Sequence, residues 1–228
     1  MKNIFKYSWA LFMLALIISS CQKDDYFVGG ELHKPKIDLS TYDFLKNNDR
    51  GLFDTLIMLV DAAGLKETIN QPGITFFAPT DYSINSYIEK RTEIEQRVDP
   101  FRKWTVDSIL KYEISRFADS LNIYIIPEAI SYSDLSGSGD IFQTKKGNDV
   151  VLSYEETNDE NLGYNPNSSF RPRIMYFTHL LGEINPPFEA SQIPTSLGVR
   201  TRVQTSGIES TTGRVNVLEN GHRLFFFR

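Results

Sequence analysis

The clearest hydrophobic pattern in the chain is the uncharged run of residues 73–79, Gly-Ile-Thr-Phe-Phe-Ala-Pro. Its threonine and two phenylalanines favour β-structure, whereas Pro79 has no amide hydrogen to donate to a sheet. The run therefore predicts a buried strand that ends at Pro79. Thr80 or Asp81 follows directly, and either side chain offers an oxygen to the free backbone amides of a helix that begins there.

Two helices are predicted before this strand. Ser40 or Thr41 can cap a first short helix, and a second helix follows Gly51. In the second helix apolar residues recur at the spacing of one helical face, and Gly64 lies where a left-handed terminating residue is preferred. We expect the apolar side chains of both helices to be part of the core. They are Tyr42, Phe44 and Leu45 in the first helix and Phe53, Leu56, Ile57 and Val60 in the second.

The second part of the chain alternates between helical and strand-like patterns. Mixed charges over residues 89–97 predict a helix with a solvated face, and a helical stripe of Val106, Ile109 and Leu110 follows. Short apolar runs then predict strands joined by hairpins, at residues 123–126, 141–142, 150–154 and 174–177.

Two long polar stretches, residues 155–173 and 181–197, interrupt the predicted strands. Loops of this length are often the places where a domain carries its specificity. Near the end of the chain, the pair Asn220-Gly221 is a strong turn signal. It predicts a final hairpin between residues 214–218 and 222–227.

The first 20 residues have the features of a secretory signal peptide. Lys2 and Lys6 give a positive start, an apolar run covers residues 9–18, and two serines follow. The apolar run is shorter than the roughly 20 residues that a membrane-spanning helix needs. We therefore predict that residues 1–20 are removed.

Cys21 is the only cysteine of the chain, which excludes an intramolecular disulfide. The stretch 18–21, Ile-Ser-Ser-Cys, resembles the lipobox of bacterial lipoproteins, and this resemblance implies lipid attachment at Cys21. Two or more acyl chains make a stable anchor, because each buried methylene contributes on the order of 0.8 kcal/mol. The alternative is a lone cysteine that stays buried or lies on the surface.

Residues 21–36 are polar and rich in helix breakers, which predicts a tether. Asp24 and Asp25 resemble the export signal of surface lipoproteins in Bacteroidota-type bacteria, which implies an outer-membrane protein whose domain lies outside the cell. Removal of residues 1–20 takes away two lysines and no acid, so the net charge of −5 becomes −7. This balance argues against nucleic acid as a partner and against electrostatic docking on anionic lipid.

The residues after the first apolar run resemble a known family. Residues 75–81, Thr-Phe-Phe-Ala-Pro-Thr-Asp, are similar to the first signature of fasciclin domains. Residues 212–218, Thr-Gly-Arg-Val-Asn-Val-Leu, resemble the second signature, from which Thr212 and Asn216 depart. The resemblance implies one α+β domain over residues 37–228, with a wedge-like β core flanked by short helices. We assign both motifs to its scaffold.

The family resemblance also implies adhesion or extracellular recognition. Many fasciclin domains carry a Tyr-His pair that is associated with adhesion in animals, and this chain has Tyr112-Glu113 at that point. If Glu113 is enclosed, its carboxylate must be solvated, paired or raised in pKa. We expect a lipid-anchored cell-surface binding module whose partner is an extracellular protein, and Glu113 is a candidate contact.

The alternative function is an accessory lipoprotein that holds a glycan for a surface nutrient-uptake complex. Aromatic rings offer broad apolar faces on which sugars can stack, and several rings lie in or beside the longest loop. Tyr164 and Phe170 are the candidate contacts among them, and the other rings considered are Trp104, Tyr154 and Tyr176.

No combination of nucleophile, base and orienting group stands out, so we predict a protein that is not an enzyme and needs no cofactor. The histidines His33, His179 and His222 are far apart in the sequence and lack zinc-ligand spacing. Residues 136–139, Ser-Gly-Ser-Gly, lack the glycine that a nucleophile elbow needs, and they predict a flexible hairpin tip.

Two acidic loops contain oxygen ligands suited to calcium. Neither loop has the full ligand spacing of a known calcium-binding loop, so we predict ordinary solvated charge and no metal site. The acidic residues concerned are Asp134, Asp140, Glu155, Glu156, Asp159 and Glu160.

Overall fold

Within residues 36–227, which the computed structural model describes, one sheet of seven strands and a set of short helices form the fold. The helices are α1 (Thr41–Lys46), α2 (Asp54–Ala62), α3 (Lys66–Ile69), α4 (Asp81–Glu95), α5 (Val106–Ser108) and α6 (Ile114–Leu121). The strands are β1 (Ile74–Ala78), β2 (Ile125–Ile126), β3 (Asp140–Gln143), β4 (Asp149–Glu156), β5 (Arg173–Leu180), β6 (Gly198–Glu209) and β7 (Gly213–Leu218). The predicted α+β architecture is confirmed.

The strands follow the order β2-β1-β7-β6-β5-β4-β3, in which β1 and β7 run parallel and the other neighbours run antiparallel. Strand β6 is long enough to pair with β5 through its first residues and with β7 through its last. The two ends of the sheet approach each other. Lys145, just after β3, donates its amide to the carbonyl of Ile125 in β2 at 2.7 Å. The sheet is thus nearly closed, and its wedge-like shape stays a prediction.

The two motifs at residues 75–81 and 212–218 form adjacent strands in the core. Every residue of β1 is buried. Gly213 is needed beside β1, because a Cβ at this position would lie 2.4 Å from the carbonyl oxygen of Ile74. Asn216 is also buried, and its Oδ1 accepts a hydrogen bond from an amide in the irregular part of β6 at 2.8 Å. Both motifs therefore contribute scaffold.

Two of the three helices before β1 agree with the prediction, and the short helix α3 was not predicted. Ser40 is the N-cap of α1, and its Oγ accepts a hydrogen bond from the amide of Asp43 at 3.1 Å. Helix α2 begins three residues after Gly51 and buries its apolar face. Gly64 follows the helix with a φ of 67°, the left-handed conformation that favours glycine.

Asp81 caps a different helix from the one predicted. Its two carboxylate oxygens accept hydrogen bonds from the amides of Thr55 at 2.8 Å and Leu56 at 3.0 Å, in the first turn of α2. The N-cap residue of α2 is Phe53, which has no side-chain oxygen of its own. Thr80 is the N-cap residue of α4, but its hydroxyl donates to Asn220 at 3.1 Å and makes no cap bond.

Residues 222–227 do not form a strand, and the prediction of a terminal hairpin is wrong. Strand β7 already has β1 on one side and β6 on the other, so it has no free edge for a further strand. The chain instead makes the 3₁₀ turn Leu224–Phe226, in which Phe225 and Phe226 have φ values of 60° and 53°. The hydroxyl of Tyr124 accepts a hydrogen bond from the amide of Phe225 at 2.6 Å.

Candidate functional site

Glu113 lies in a π-helical turn, Ile109–Glu113, that joins α5 to α6. Its side chain is 12% exposed, and its carboxylate accepts a hydrogen bond from the hydroxyl of Tyr87 at 2.7 Å. It also forms ion pairs with Arg91 at 3.2 Å and Arg116 at 3.5 Å. Burial and the hydrogen bond to Glu113 raise the pKa of Tyr87. Of the states expected for an enclosed Glu113, the structure shows the paired one.

Arg91 links this ion network to Trp104. Its guanidinium lies 4.4 Å from the centroid of the Trp104 ring and 3.4 Å from the carboxylate of Glu95. The amide of Trp104 donates to Oγ1 of Thr92 at 3.0 Å, which fixes the loop after α4 to the helix. The predicted solvated face of residues 89–97 is thus only partly correct, because Arg91 and Glu95 turn towards neighbouring elements.

The loop beyond α4 exposes apolar side chains. We call residues 97–103 the α4–α5 tip. Val98 is 89% exposed and Phe101 is 93% exposed, the highest values for large hydrophobic residues within residues 36–227. Tyr112, in the neighbouring π-helical turn, is 63% exposed, and its ring lies 6.1 Å from that of Trp104. Sequence analysis did not single out the tip, because its two apolar residues lie among charges and no periodicity marks them.

The loop between β4 and β5 carries Tyr164 and Phe170, the two aromatic candidates for glycan contact. Phe170 is 66% exposed, and Tyr164 is partly buried. The other rings considered for glycan contact are less accessible than Phe170. Trp104 and Tyr154 are buried, and the guanidinium of Arg200 covers the ring of Tyr176 at 3.6 Å.

A cleft of about 390 Å³ lies between residues 138–141 and residues 186–189, beside the edge strand β3. We call it the β3 cleft. Ile141 and Phe188 provide apolar walls together with two prolines, and Asp140 contributes a carboxylate. Its walls come from segments about 45 residues apart in the chain, so the sequence alone did not reveal it.

The walls of the β3 cleft are held in place from both sides. The amide of Ala190 donates to the carbonyl of Ser138 at 2.7 Å, and the amide of Ser136 donates to Asp140 at 2.7 Å. A Cβ at Gly139 would lie 2.6 Å from a methyl group of Val151, so the turn packs directly on the sheet. Residues 136–139 are therefore a packed turn and not the flexible hairpin tip that was predicted.

The loop at residues 181–197, which forms the other wall, has a small core of its own. Ile184, Phe188 and Ile193 pack together with the buried Ala190 of the same loop on two buried strand residues, Val151 and Leu180. The loop therefore has a defined conformation, and the cleft exists before any ligand binds.

His179 and His222 are far apart in the sequence, but the structure places both against the ring of Phe226, each at a centroid distance of 4.6 Å. Nε2 of His222 lies 2.8 Å from the hydroxyl of Tyr124. Burial lowers the pKa of His222 to about 3, and burial also lowers the pKa of His179. Both rings are buried in the core. His33 lies outside the described residues.

The acidic loops considered for calcium use their carboxylates within the fold. Asp134 and Asp140 accept backbone amides of their own turns, and Glu155 forms a bidentate pair with Arg200 at 2.7 and 2.8 Å. Within residues 36–227, no group of three or more His, Cys, Asp or Glu side chains is placed to hold a metal ion.

In the same part of the chain, no helix has the length and hydrophobicity to cross a membrane. Cys21 lies outside the described residues.

Comparisons with known proteins agree with the first signature motif. The family model of the fasciclin domain matches residues 51–170, which include the first motif, the Glu113 network and both Tyr164 and Phe170. The second motif lies outside the matched residues. No curated protein sequence matches the chain.

The chain is also similar to a solved structure of a FAS1 domain pair from the insect cell adhesion molecule Fasciclin I. The two share 13% sequence identity with a TM-score of 0.44, over 78% of this chain and 46% of that one. The chain thus spans about half the length of that relative. Fasciclin domains are in general adhesion or extracellular-binding modules. The family model matches more than half of the length of this chain, so the chain belongs to the fasciclin domain family.

Proposed function

We propose that this protein is a lipid-anchored binding module of the bacterial cell surface, used for adhesion or extracellular recognition. The general role of fasciclin domains supports the binding function. The signal-peptide features of residues 1–20 and the lipobox-like stretch that ends at Cys21 support the anchor. The acidic residues after Cys21 support display outside a cell of the Bacteroidota type.

The β3 cleft is the observation that carries the proposed binding function. A ligand site is expected to be concave, preformed and mostly apolar, with a few polar groups that fix orientation. The β3 cleft combines Ile141, Phe188 and two prolines with the carboxylates of Asp140 and Glu189. Among the described residues, neither carboxylate forms an ion pair, so both can accept donors from a ligand. We propose an exposed segment of an extracellular protein as the ligand.

The Glu113 network has a supporting role in this proposal. Glu113 already binds Tyr87, Arg91 and Arg116, which together fasten α4 to the helical segment that follows it. Its carboxylate has little free surface for a partner. We therefore propose that Glu113 holds the shape of the domain and that the ligand binds elsewhere.

A binding array tests the proposal. The probe is the chain without its signal peptide and with Cys21→Ala, applied to extracellular host proteins and glycans. We expect selective protein binding that weakens about tenfold in Ile141→Ala and in Glu189→Lys, because each removes one kind of contact in the cleft.

Met58→Ala is the matched control, since Met58 is 51% exposed on α2 and does not line the cleft. Protein binding that both cleft variants leave unchanged would remove the β3 cleft from the proposal. Circular dichroism of each variant verifies that the fold is retained.

The alternative is glycan capture for a surface uptake complex, and the exposure of Phe170 is the observation that favours it. Phe170 and the partly buried Tyr164 lie in one loop and could stack on a sugar. Selective binding of glycans on the same array, lost in Phe170→Ala, would favour this alternative. Normal growth of a deletion strain on every single polysaccharide would count against it.

A further inference from the structure

We propose that the α4–α5 tip docks the domain on an anionic bilayer surface. The proposal rests on the proposed function in one respect, since it takes the domain to be tethered to a membrane. It adds a second, non-covalent contact to the lipid at Cys21.

The tip displays two apolar side chains that the fold leaves almost fully in water. Val98 and Phe101 are 89% and 93% exposed and lie three residues apart. Folding buries almost none of their surface. The favourable free energy of burying these side chains can therefore still be gained when the tip binds an apolar phase. Phe101 can supply most of this gain, because an aromatic ring is the largest apolar group at the tip.

The tip has a defined conformation. The amides of Val98 and Asp99 donate to the carbonyl of Glu95 at 3.0 Å each, and the amide of Arg102 donates to the carbonyl of Asp99 at 3.0 Å. Arg102 also pairs with the carboxylate of Glu95 at 3.2 Å. Because the tip already has this conformation, it loses little conformational entropy when it binds a membrane, and binding is favoured.

The local charge of the tip is opposite to that of the whole chain. Arg97, Arg102 and Lys103 flank the apolar pair, and Asp99 is the one acid within residues 97–103. Glu95 pairs with Arg102, so Arg97 and Lys103 are the two cations of the tip without an ion pair within residues 36–227. At physiological ionic strength charges are screened beyond roughly 8 Å, so the contact depends on these nearby cations more than on the net charge of the protein. The argument from net charge against lipid docking therefore does not apply to the tip.

The size of the patch favours a bilayer over a protein partner. A stable protein interface buries about 800 Å² on each side, whereas two side chains provide a few hundred at most. Insertion into a bilayer interface requires only apolar groups flanked by cations, which is what the tip offers. The tether also keeps the membrane within reach, because the 16 residues from Cys21 to Lys36 can span at most about 58 Å.

Vesicle co-sedimentation tests this proposal. The protein is the chain without its signal peptide and with Cys21→Ala, so that no lipid anchor contributes. The vesicles contain phosphatidylcholine alone or phosphatidylcholine with phosphatidylglycerol. We expect binding to the anionic vesicles only, and weaker binding at higher salt.

Variants assign the binding to the tip. Phe101→Ala is expected to weaken partition by about tenfold and Lys103→Gln by about fivefold. Tyr82→Ala is the matched control, since Tyr82 is 55% exposed at the opposite end of α4 and should bind as the unaltered chain does.

Absence of binding to anionic vesicles, or equal binding by Phe101→Ala, would overturn the proposal. Loss of protein binding on the array in Phe101→Ala, without any vesicle binding, would overturn it too and would make the tip a protein contact. The vesicle results do not depend on whether the β3 cleft binds its ligand or whether Cys21 is acylated, so failure of the tip proposal on vesicles is distinguishable from failure of the proposed function on the array.

Discussion

At the scale of single residues, Glu113 shows how an unexpected carboxylate becomes part of the scaffold. The sequence places an acid where many family members have a histidine, and it predicts that the acid must be solvated, paired or neutral. The structure supplies three donors from α4 and α6. Tyr87 and Arg91 come from another helix, and only Arg116 is a near neighbour in the sequence, so the need for a partner could be predicted but those two partners could not.

Glu113→Gln is expected to lower the free energy of unfolding by about 1–3 kcal/mol, because Arg116 then loses its counter-charge and Arg91 keeps only that of Glu95. Chemical denaturation measures this change. Glu93→Gln is the control, since Glu93 is exposed and pairs only with Lys90. Unchanged stability in Glu113→Gln would contradict the structural role, and ligand binding of the folded variant should stay as in the unaltered chain.

The buried histidine His222 gives the domain a predictable response to acid. Its pKa is lowered from the ordinary 6.5 to about 3 in the folded state, so between these values the unfolded chain binds more protons than the folded one. Stability is therefore complete above about pH 6.5 and is lost as the pH falls towards 3, by at most about 1.4 kcal/mol per pH unit for one group.

His222→Gln removes this titration and can keep a hydrogen bond to Tyr124. We expect the unfolding free energy of the variant to fall less steeply between pH 6.5 and pH 4 than that of the unaltered chain. Equal slopes in urea denaturation across this range would show that His222 is not the group that titrates.

At the scale of elements, strand β1 could be predicted because its signals are local. An uncharged run, a following proline and a cap oxygen lie within nine residues. The structure of residues 222–227 could not be predicted in the same way, because they can form a strand only if β7 has a free edge. Strand β6 was not predicted. The buried residues Thr201 and Val203 alternate with arginines, but this alternation is short and mostly polar.

The cap of α2 joins two elements that the sequence treats separately. Asp81 begins α4 but closes the first turn of α2, so Asp81→Ala should destabilise the domain by about 1–2 kcal/mol. Thermal and urea denaturation measure the effect. Asp54→Ala is the control, because Asp54 is exposed in the same turn and accepts no cap bond. A loss of similar size in both variants would contradict the assignment of the cap.

At the scale of the whole molecule, we propose a lipid at Cys21, a tether and one domain with two separate binding surfaces. The β3 cleft lies beside one edge of the sheet, and the α4–α5 tip lies beyond a helix. The β3 cleft is assembled from distant segments, and the two apolar residues of the tip lie among charges without periodicity, so neither surface was visible in the hydrophobic pattern. The anchor, in contrast, is predicted entirely from the first 25 residues.

The measurement that tests the central claim most directly follows the anchored protein in living cells. Cells are fed a labelled fatty acid and then treated with a protease that cannot enter them, with the unaltered chain and with Cys21→Ala in parallel. The account predicts that the unaltered chain carries the label and is digested on intact cells, whereas Cys21→Ala carries no label and is released. Labelling that persists in Cys21→Ala would contradict the lipid anchor, and a labelled chain that resists protease until the cells are broken would contradict display at the surface.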